Sequence, residues 1–121
     1  MHHVGLDIIE IGRIERAIAR WGVRFLNRVY TDLEIKFCRN RTPELAVRFA
    51  AKEAVMKALG TGSRGVGWRD IEILPRAGGK PSVYLYGRAK KRAQHLGLDD
   101  LGISLSHSRD YAIASVVGGM K

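Results

Sequence analysis

The apolar positions of this chain change period several times, and each change marks an element. Residues 4–9 form a short β-type run with Asp7 set among apolar neighbours. From Ile11 the spacing turns helical, with Ile14, Ile18 and Trp21 pointing one way until Gly22 ends or bends the helix. Residues 26–30 and 32–39 read as short helical pieces, with Thr31 a suitable cap for the second. The longest helical stretch follows. It opens on Pro43-Glu44, contains no proline between Glu44 and Gly60, and stops at that glycine. Leu45, Phe49, Met56 and Leu59 lie near one stripe of it and should face a core. Residues 68–74 and 82–86 are strand-like, joined by the turn-rich segment 75–81. Residues 87–96 form a basic helix closed by Gly97, and strands over 103–105 and 111–117 flank Ser106-His-Ser-Arg-Asp110. The last of these reads as a buried strand. The order predicts one α+β domain over residues 1–121, a mostly antiparallel sheet packed with helices.

Composition narrows the class only a little. A chain of 121 residues can bury an independent core, and no apolar run approaches the roughly 20 residues needed to span a bilayer. No export signal opens the sequence, and Cys38 is the only cysteine, so cytoplasm is the default and no intrachain disulfide can form. His2, His3, His95 and His107 lack zinc-ligand spacing. The formal net charge of +9 favours a polyanionic partner: nucleic acid, an acidic protein or a phosphate-rich ligand.

Three local patterns carry possible chemistry. In the long helix a lane runs Ala46, Ala50, Glu53, Lys57, Gly60, placing a carboxylate and an amine among minimal side chains with room for something to lie against them. The bland alternative is an exposed Glu–Lys pair one turn apart. Asp7 needs a partner or a metal if it is buried; otherwise it is an exposed strand-edge charge. Arg13, Arg16, Arg20 and Arg24 make a stripe of like charge that Glu10 and Glu15 relieve only partly, so it is either a solvated face or a docking surface for an acidic helix or a phosphate backbone. Gly60-Thr-Gly-Ser-Arg-Gly65 has the letters of a dinucleotide fingerprint, but a helix precedes it and a strand follows, which excludes that site. It remains a loop able to turn backbone amides toward phosphate.

Gly5-Leu-Asp-Ile-Ile-Glu-Ile11, Arg48-Phe-Ala-Ala-Lys-Glu-Ala54 with Lys57-Ala-Leu-Gly-Thr-Gly62, and Ser104-Leu-Ser-His-Ser-Arg109 together resemble the holo-[acyl-carrier-protein] synthases. These are the short, single-module branch of the 4′-phosphopantetheinyl transferases. Trp68-Arg-Asp-Ile-Glu-Ile73 and Gly79-Lys-Pro81 match intermediate segments, so the resemblance spans essentially the whole chain. Gly12 stands where the family often has a larger residue.

The resemblance implies transfer of 4′-phosphopantetheine from coenzyme A to a serine of apo acyl carrier protein, in fatty acid biosynthesis, with release of adenosine 3′,5′-bisphosphate. It implies Mg²⁺ (or Mn²⁺) held by Asp7 and Glu53, with Lys57 reaching the same phosphate oxygens and a candidate proton carrier. Arg48, Lys52, Lys57, Gly60 and His107 match positions near coenzyme A, although His107 alone could be an ordinary turn histidine. The group that deprotonates the serine stays open among Glu53, a metal-bound water and Lys57. Arg13 and Arg20 match positions that contact the acidic carrier protein; Arg16 and Arg24 extend the line. Short family members form homotrimers with sites between subunits, and neither a membrane nor a nucleic acid is expected as partner. A basic nucleic-acid-binding domain would explain the charge but not Asp7, Glu53 and Lys57. A carrier-binding adaptor without catalysis would tolerate loss of Glu53, whereas an enzyme would not.

Overall fold

A computed structural model describes residues 2–120. The chain begins with strand β1 (His2–Glu10), then α1 (Ile11–Trp21), α2 (Val23–Val29), α3 (Asp32–Cys38) and α4 (Thr42–Leu59). A single helical turn, α5 (Gly62–Gly65), and a 3₁₀ turn (Trp68–Asp70) lead into the hairpin β2 (Ile71–Pro75) and β3 (Pro81–Leu85). Helix α6 (Gly87–His95), β4 (Leu98–His107) and β5 (Tyr111–Met120) complete it. All pairing is antiparallel, in two separate sheets ordered β1-β5-β4 and β2-β3.

The stops fall where the chemistry places them. Gly22 (φ 58°) and Gly60 (φ 72°) end α1 and α4 in backbone conformations that a Cβ resists. Thr31 caps α3 through a reciprocal pair: its hydroxyl accepts from the Glu34 amide, and the Glu34 carboxylate accepts from the Thr31 amide. Two local expectations fail. The segment after Gly60 is a helical turn, and residues 68–70 form a 3₁₀ turn before the strand begins at Ile71.

Helix α4 is the core, not one wall of it. Leu45, Phe49, Met56 and Leu59 are buried as expected, but so are Ala46, Ala50, Ala51, Ala54 and Ala58 on other sides. The alanines therefore do not leave space for a ligand; they let the β1-β5-β4 sheet come close. At Gly5 the approach is closest, because an added Cβ would fall 1.8 Å from the Ala54 carbonyl oxygen. Both groups are backbone, so no rotamer change relieves that clash. Gly5→Ala should cost about 3 kcal/mol through forced separation of β1 from α4. Thermal unfolding measures this, and an unchanged Tm would mean that β1 does not seat as described.

Strand β5 is covered on one face only, contrary to the expectation of a buried strand. Ala112, Ala114 and Val116 face α4, whereas Tyr111, Ile113 and Val117 face outward. The same alternation on β1 turns Gly5, Asp7 and Ile9 inward and leaves Val4, Leu6 and Ile8 about 60% exposed. Cys38 is buried, and burial pushes its thiol up to about 11, so it is inert at neutral pH.

Candidate active site

The close seating of Gly5 on Ala54 has a chemical consequence. Asp7 follows Gly5 by two residues on the same strand face, and Glu53 immediately precedes Ala54. Lys57 lies one turn beyond Glu53, so strand and helix deliver all three side chains to one spot. Lys57 Nζ donates to Asp7 Oδ1 at 3.0 Å and to the Leu6 carbonyl at 2.9 Å. The Asp7 side chain is only 12% exposed, whereas that of Lys57 is 57% exposed, so the amine covers the carboxylate from the solvent side. Glu53 is half-buried and close enough to interact directly with Asp7. Burial first, and then the negative charge of Asp7, push the Glu53 carboxyl above the ordinary glutamate range, while Arg13 and Lys57 partly oppose them. Two carboxylates crowded beside one ammonium and one guanidinium form a site poised for a further cation. The Glu53–Lys57 pair of the sequence is thus not a surface ornament, because a third residue from a distant strand completes it.

The remaining predicted substrate residues divide. His107 is exposed at the end of β4, and it lines a cavity of about 240 Å³ together with Arg48, Gly79, Pro81 and Phe37. Arg48 is 3% exposed: its Nε donates to the Ile73 carbonyl and its guanidinium lies over the Phe37 ring, leaving only an edge on that cavity. Gly60 is exposed at the end of α4, where Arg92 Nε donates to the adjacent Leu59 carbonyl. That arginine satisfies a helix-terminal carbonyl and offsets the negative end of the α4 dipole. Its part was not legible in the chain, where it is one of several cations on a basic helix.

Lys52 is the correction. The family resemblance implied a place near coenzyme A for it, but its side chain is fully buried. It lies about 100° around α4 from Glu53 and points into the protein. Its ammonium meets Glu34 Oε1 at 2.6 Å and donates to the carbonyls of Val29, Trp68 and Ile71 at 2.9, 3.1 and 2.7 Å. Burial lowers its affinity for a proton, and Glu34 opposes that effect. With every donor engaged, Lys52 has nothing left for a substrate phosphate.

Arg13, Arg16, Arg20 and Arg24 are all exposed, as is Arg28 on α2. Among the described residues none of the five makes a salt bridge. Arg13 reaches toward the Phe49 ring and Arg20 lies 5.0 Å from the Trp21 ring. Beside them a cleft of about 710 Å³ opens between α1, α2 and the 3₁₀ turn, lined by Trp21, Arg24, Phe25, Arg28, Val29, Phe49 and Trp68. Its floor is a stack, with Phe49 centred 6.3 Å from Phe25 and 4.8 Å from Trp68. The sequence scatters these aromatics over nearly fifty positions, and only the fold collects them beside the arginines.

Comparison with known proteins follows the same lines. A family model described as the 4′-phosphopantetheinyl transferase superfamily matches residues 3–116. The holo-[acyl-carrier-protein] synthase of Dehalococcoides mccartyi is 53% identical over 117 residues, which is 97% of this chain and 98% of that protein. The crystal structure of Helicobacter pylori holo-[acyl-carrier-protein] synthase in complex with coenzyme A superposes with a TM-score of 0.87 at 33% identity, over 96% of this chain and 99% of that one. Acyl carrier protein synthase from Plasmodium yoelii with ADP bound superposes with a TM-score of 0.90 at 29% identity, over 100% and 98% of the two chains.

Proposed function

This chain belongs to the 4′-phosphopantetheinyl transferase superfamily, among the holo-[acyl-carrier-protein] synthases, and from that premise we propose how its own residues carry the reaction. The substrates are coenzyme A and apo acyl carrier protein. The carrier serine oxygen forms a bond to the β-phosphorus of the coenzyme A pyrophosphate, and the bond from that phosphorus to the bridging oxygen breaks. Adenosine 3′,5′-bisphosphate leaves with the bonding electron pair, and the serine proton passes to a base. Charge builds on phosphoryl oxygens, so the site's task is to position them and neutralise that charge. The meeting of Asp7, Glu53 and Lys57 at the β1–α4 contact carries this reading.

Asp7 and Glu53 fit Mg²⁺ (or Mn²⁺). Both are hard oxygen donors, and their mutual crowding is relieved by a divalent cation. Two carboxylates suit an ion that takes one or two of them and leaves the rest of its shell to water and substrate phosphates. When bound, the ion supplies positive charge to the pyrophosphate oxygens. Lys57, more than half exposed, is free to swing from Asp7 to those oxygens. Arg48, Gly60 and His107 are the chain's contributions toward coenzyme A. Lys57 lies nine residues beyond Arg48, roughly 14 Å along the helix axis, a span that an extended nucleotide ligand can cover.

The carrier protein docks on Arg13, Arg16, Arg20 and Arg24. Five exposed arginines that form no salt bridge among the described residues favour an acidic helix, to which guanidinium forks are well matched. The enzyme works as a homotrimer in fatty acid biosynthesis. Support for self-association comes from the bare outer sheet face, where register pairs Val4 with Val117 and Ile8 with Ile113, all exposed. Ile8→Lys should reduce the mass measured by sedimentation; a wild-type monomer at micromolar concentration would sink the trimer.

The deciding experiment is intact-protein mass spectrometry of apo acyl carrier protein incubated with this enzyme and coenzyme A, with Mg²⁺ or with EDTA. A gain of roughly 340 Da, seen only with metal, is the expected result for metal-assisted transfer. No gain in either condition from folded enzyme would overturn the reading.

A further inference from the structure

We infer that the carrier protein also engages the cleft beside the arginine stripe and that Lys52 is a positioning residue that fixes the shape of that cleft, an inference that rests on the docking role proposed for the arginines. Lys52 follows Phe49 on α4 by three residues, so its side chain emerges behind the cleft floor. From there its ammonium donates to both ends of that floor at once. One bond goes to the carbonyl of Val29, the last residue of α2, whose Phe25 belongs to the floor stack. Another goes to the carbonyl of Trp68, whose ring stacks on Phe49 from the other side. A third, to Ile71, anchors the start of β2 immediately behind the 3₁₀ turn that bears Trp68.

Glu34 holds the ammonium in place. Its Oε1 meets Lys52 Nζ and also accepts from the Thr31 amide, while Oε2 accepts from the Ile73 amide. Thr31 continues the network by donating to buried Glu72 at 2.6 Å. Two segments far apart in the chain, the end of α2 and residues 68–71, are thereby tied to one nitrogen on α4, and both border the cleft or support its rim. An aliphatic side chain would fill the same space but could not hold three carbonyls in register. The position of Lys52 beside Glu53 is thus a sequence adjacency with a division of labour: one residue faces the metal site, the other braces the docking face.

The test reads docking and turnover separately on the whole enzyme. Trp21 and Trp68 are the protein's two tryptophans, and both line the cleft. Intrinsic fluorescence during titration with an apo carrier protein whose acceptor serine is alanine therefore reports docking without chemistry. Lys52→Met leaves Glu34 buried without its cation, so the charge-neutral pair Lys52→Met with Glu34→Gln is made beside it. The pair should weaken the carrier midpoint roughly tenfold and raise KM for carrier in step, with KM for coenzyme A within about twofold. An unmoved carrier midpoint overturns the inference, as does a rise in KM for coenzyme A alone. Arg24→Glu with Arg28→Glu is run alongside. If those reversals leave the midpoint unchanged, the carrier does not use the cleft and both readings fail; if they weaken it and the Lys52 pair does not, only the role of Lys52 fails. Should the Lys52 variants not fold, lysine side-chain ¹⁵N NMR of the unaltered enzyme decides. The protected Lys52 ammonium signal should move on addition of carrier and not of coenzyme A, and the reverse overturns the inference.

Discussion

Glu53→Gln should lose roughly a thousandfold or more in kcat/KM, about 4 kcal/mol of transition-state stabilisation, while the protein stays folded. On the proposed mechanism the loss is large because the carboxylate serves the place where phosphoryl charge develops, and among the described residues no group of three carboxylates forms there. The effect on stability runs the other way. The Glu53 carboxyl is raised above its unfolded value by burial and by Asp7. A raised carboxyl contributes stability below its unfolded value and loses it as pH climbs through the folded one, so at neutral pH ionised Glu53 is a cost in metal-free protein. Removing it should leave Tm equal or slightly higher, the usual signature of a site kept for function. In metal-free protein the same shift means that Glu53 must lose a proton before it can take a cation, so the acid limb of the activity profile should depend on metal concentration. Since metal and proton compete for this carboxylate, more Mg²⁺ should move that limb to lower pH. Steady-state rates and thermal unfolding of one preparation measure both halves. Activity retained by Glu53→Gln would refute the catalytic assignment and favour an adaptor.

Arg13→Glu with Arg20→Glu should raise KM for the carrier protein roughly a hundredfold at low salt and leave KM for coenzyme A nearly unchanged. Each substitution removes an exposed guanidinium that forms no salt bridge among the described residues and presents a like charge to an acidic partner. Neither residue is in the buried core, so the fold should tolerate both changes. The wild-type KM for carrier should also rise with sodium chloride, and the double variant should show a flatter dependence, because exposed charges are screened within a Debye length. An unchanged KM for carrier in the double variant would show that α1 is not the docking face. Arg13 needs a control, since it also lies near Phe49 and acts on Glu53. Arg20→Glu alone supplies it, and should produce a smaller rise in the same direction.

Much of the architecture could be read along the chain because it depends on neighbours in sequence. The helix breaks at Gly22 and Gly60, the Thr31 cap and the hairpin between β2 and β3 follow from backbone freedom and short-range hydrogen bonding. The strands were longer than the pattern suggested: β4 runs from Leu98 and β5 to Met120, because pairing with a neighbour extends strands that propensity alone would end. The helical period in α4 was right, but its two-faced reading was not, since alanine is as much a close-packing residue as a neutral one.

Residue identities alone determined which chemistry was available: the carboxylates Asp7 and Glu53, the amine Lys57, the arginine stripe and the family they mark. Tertiary structure decided what each one faces. Lys52 and Glu53 are neighbours in sequence with indistinguishable claims on a phosphate site, yet one is sealed against Glu34 and three carbonyls while the other meets Asp7 at the surface. That division is invisible to sequence because it depends on the rotation of α4 against a sheet drawn in by Gly5, a long-range contact that no local pattern encodes.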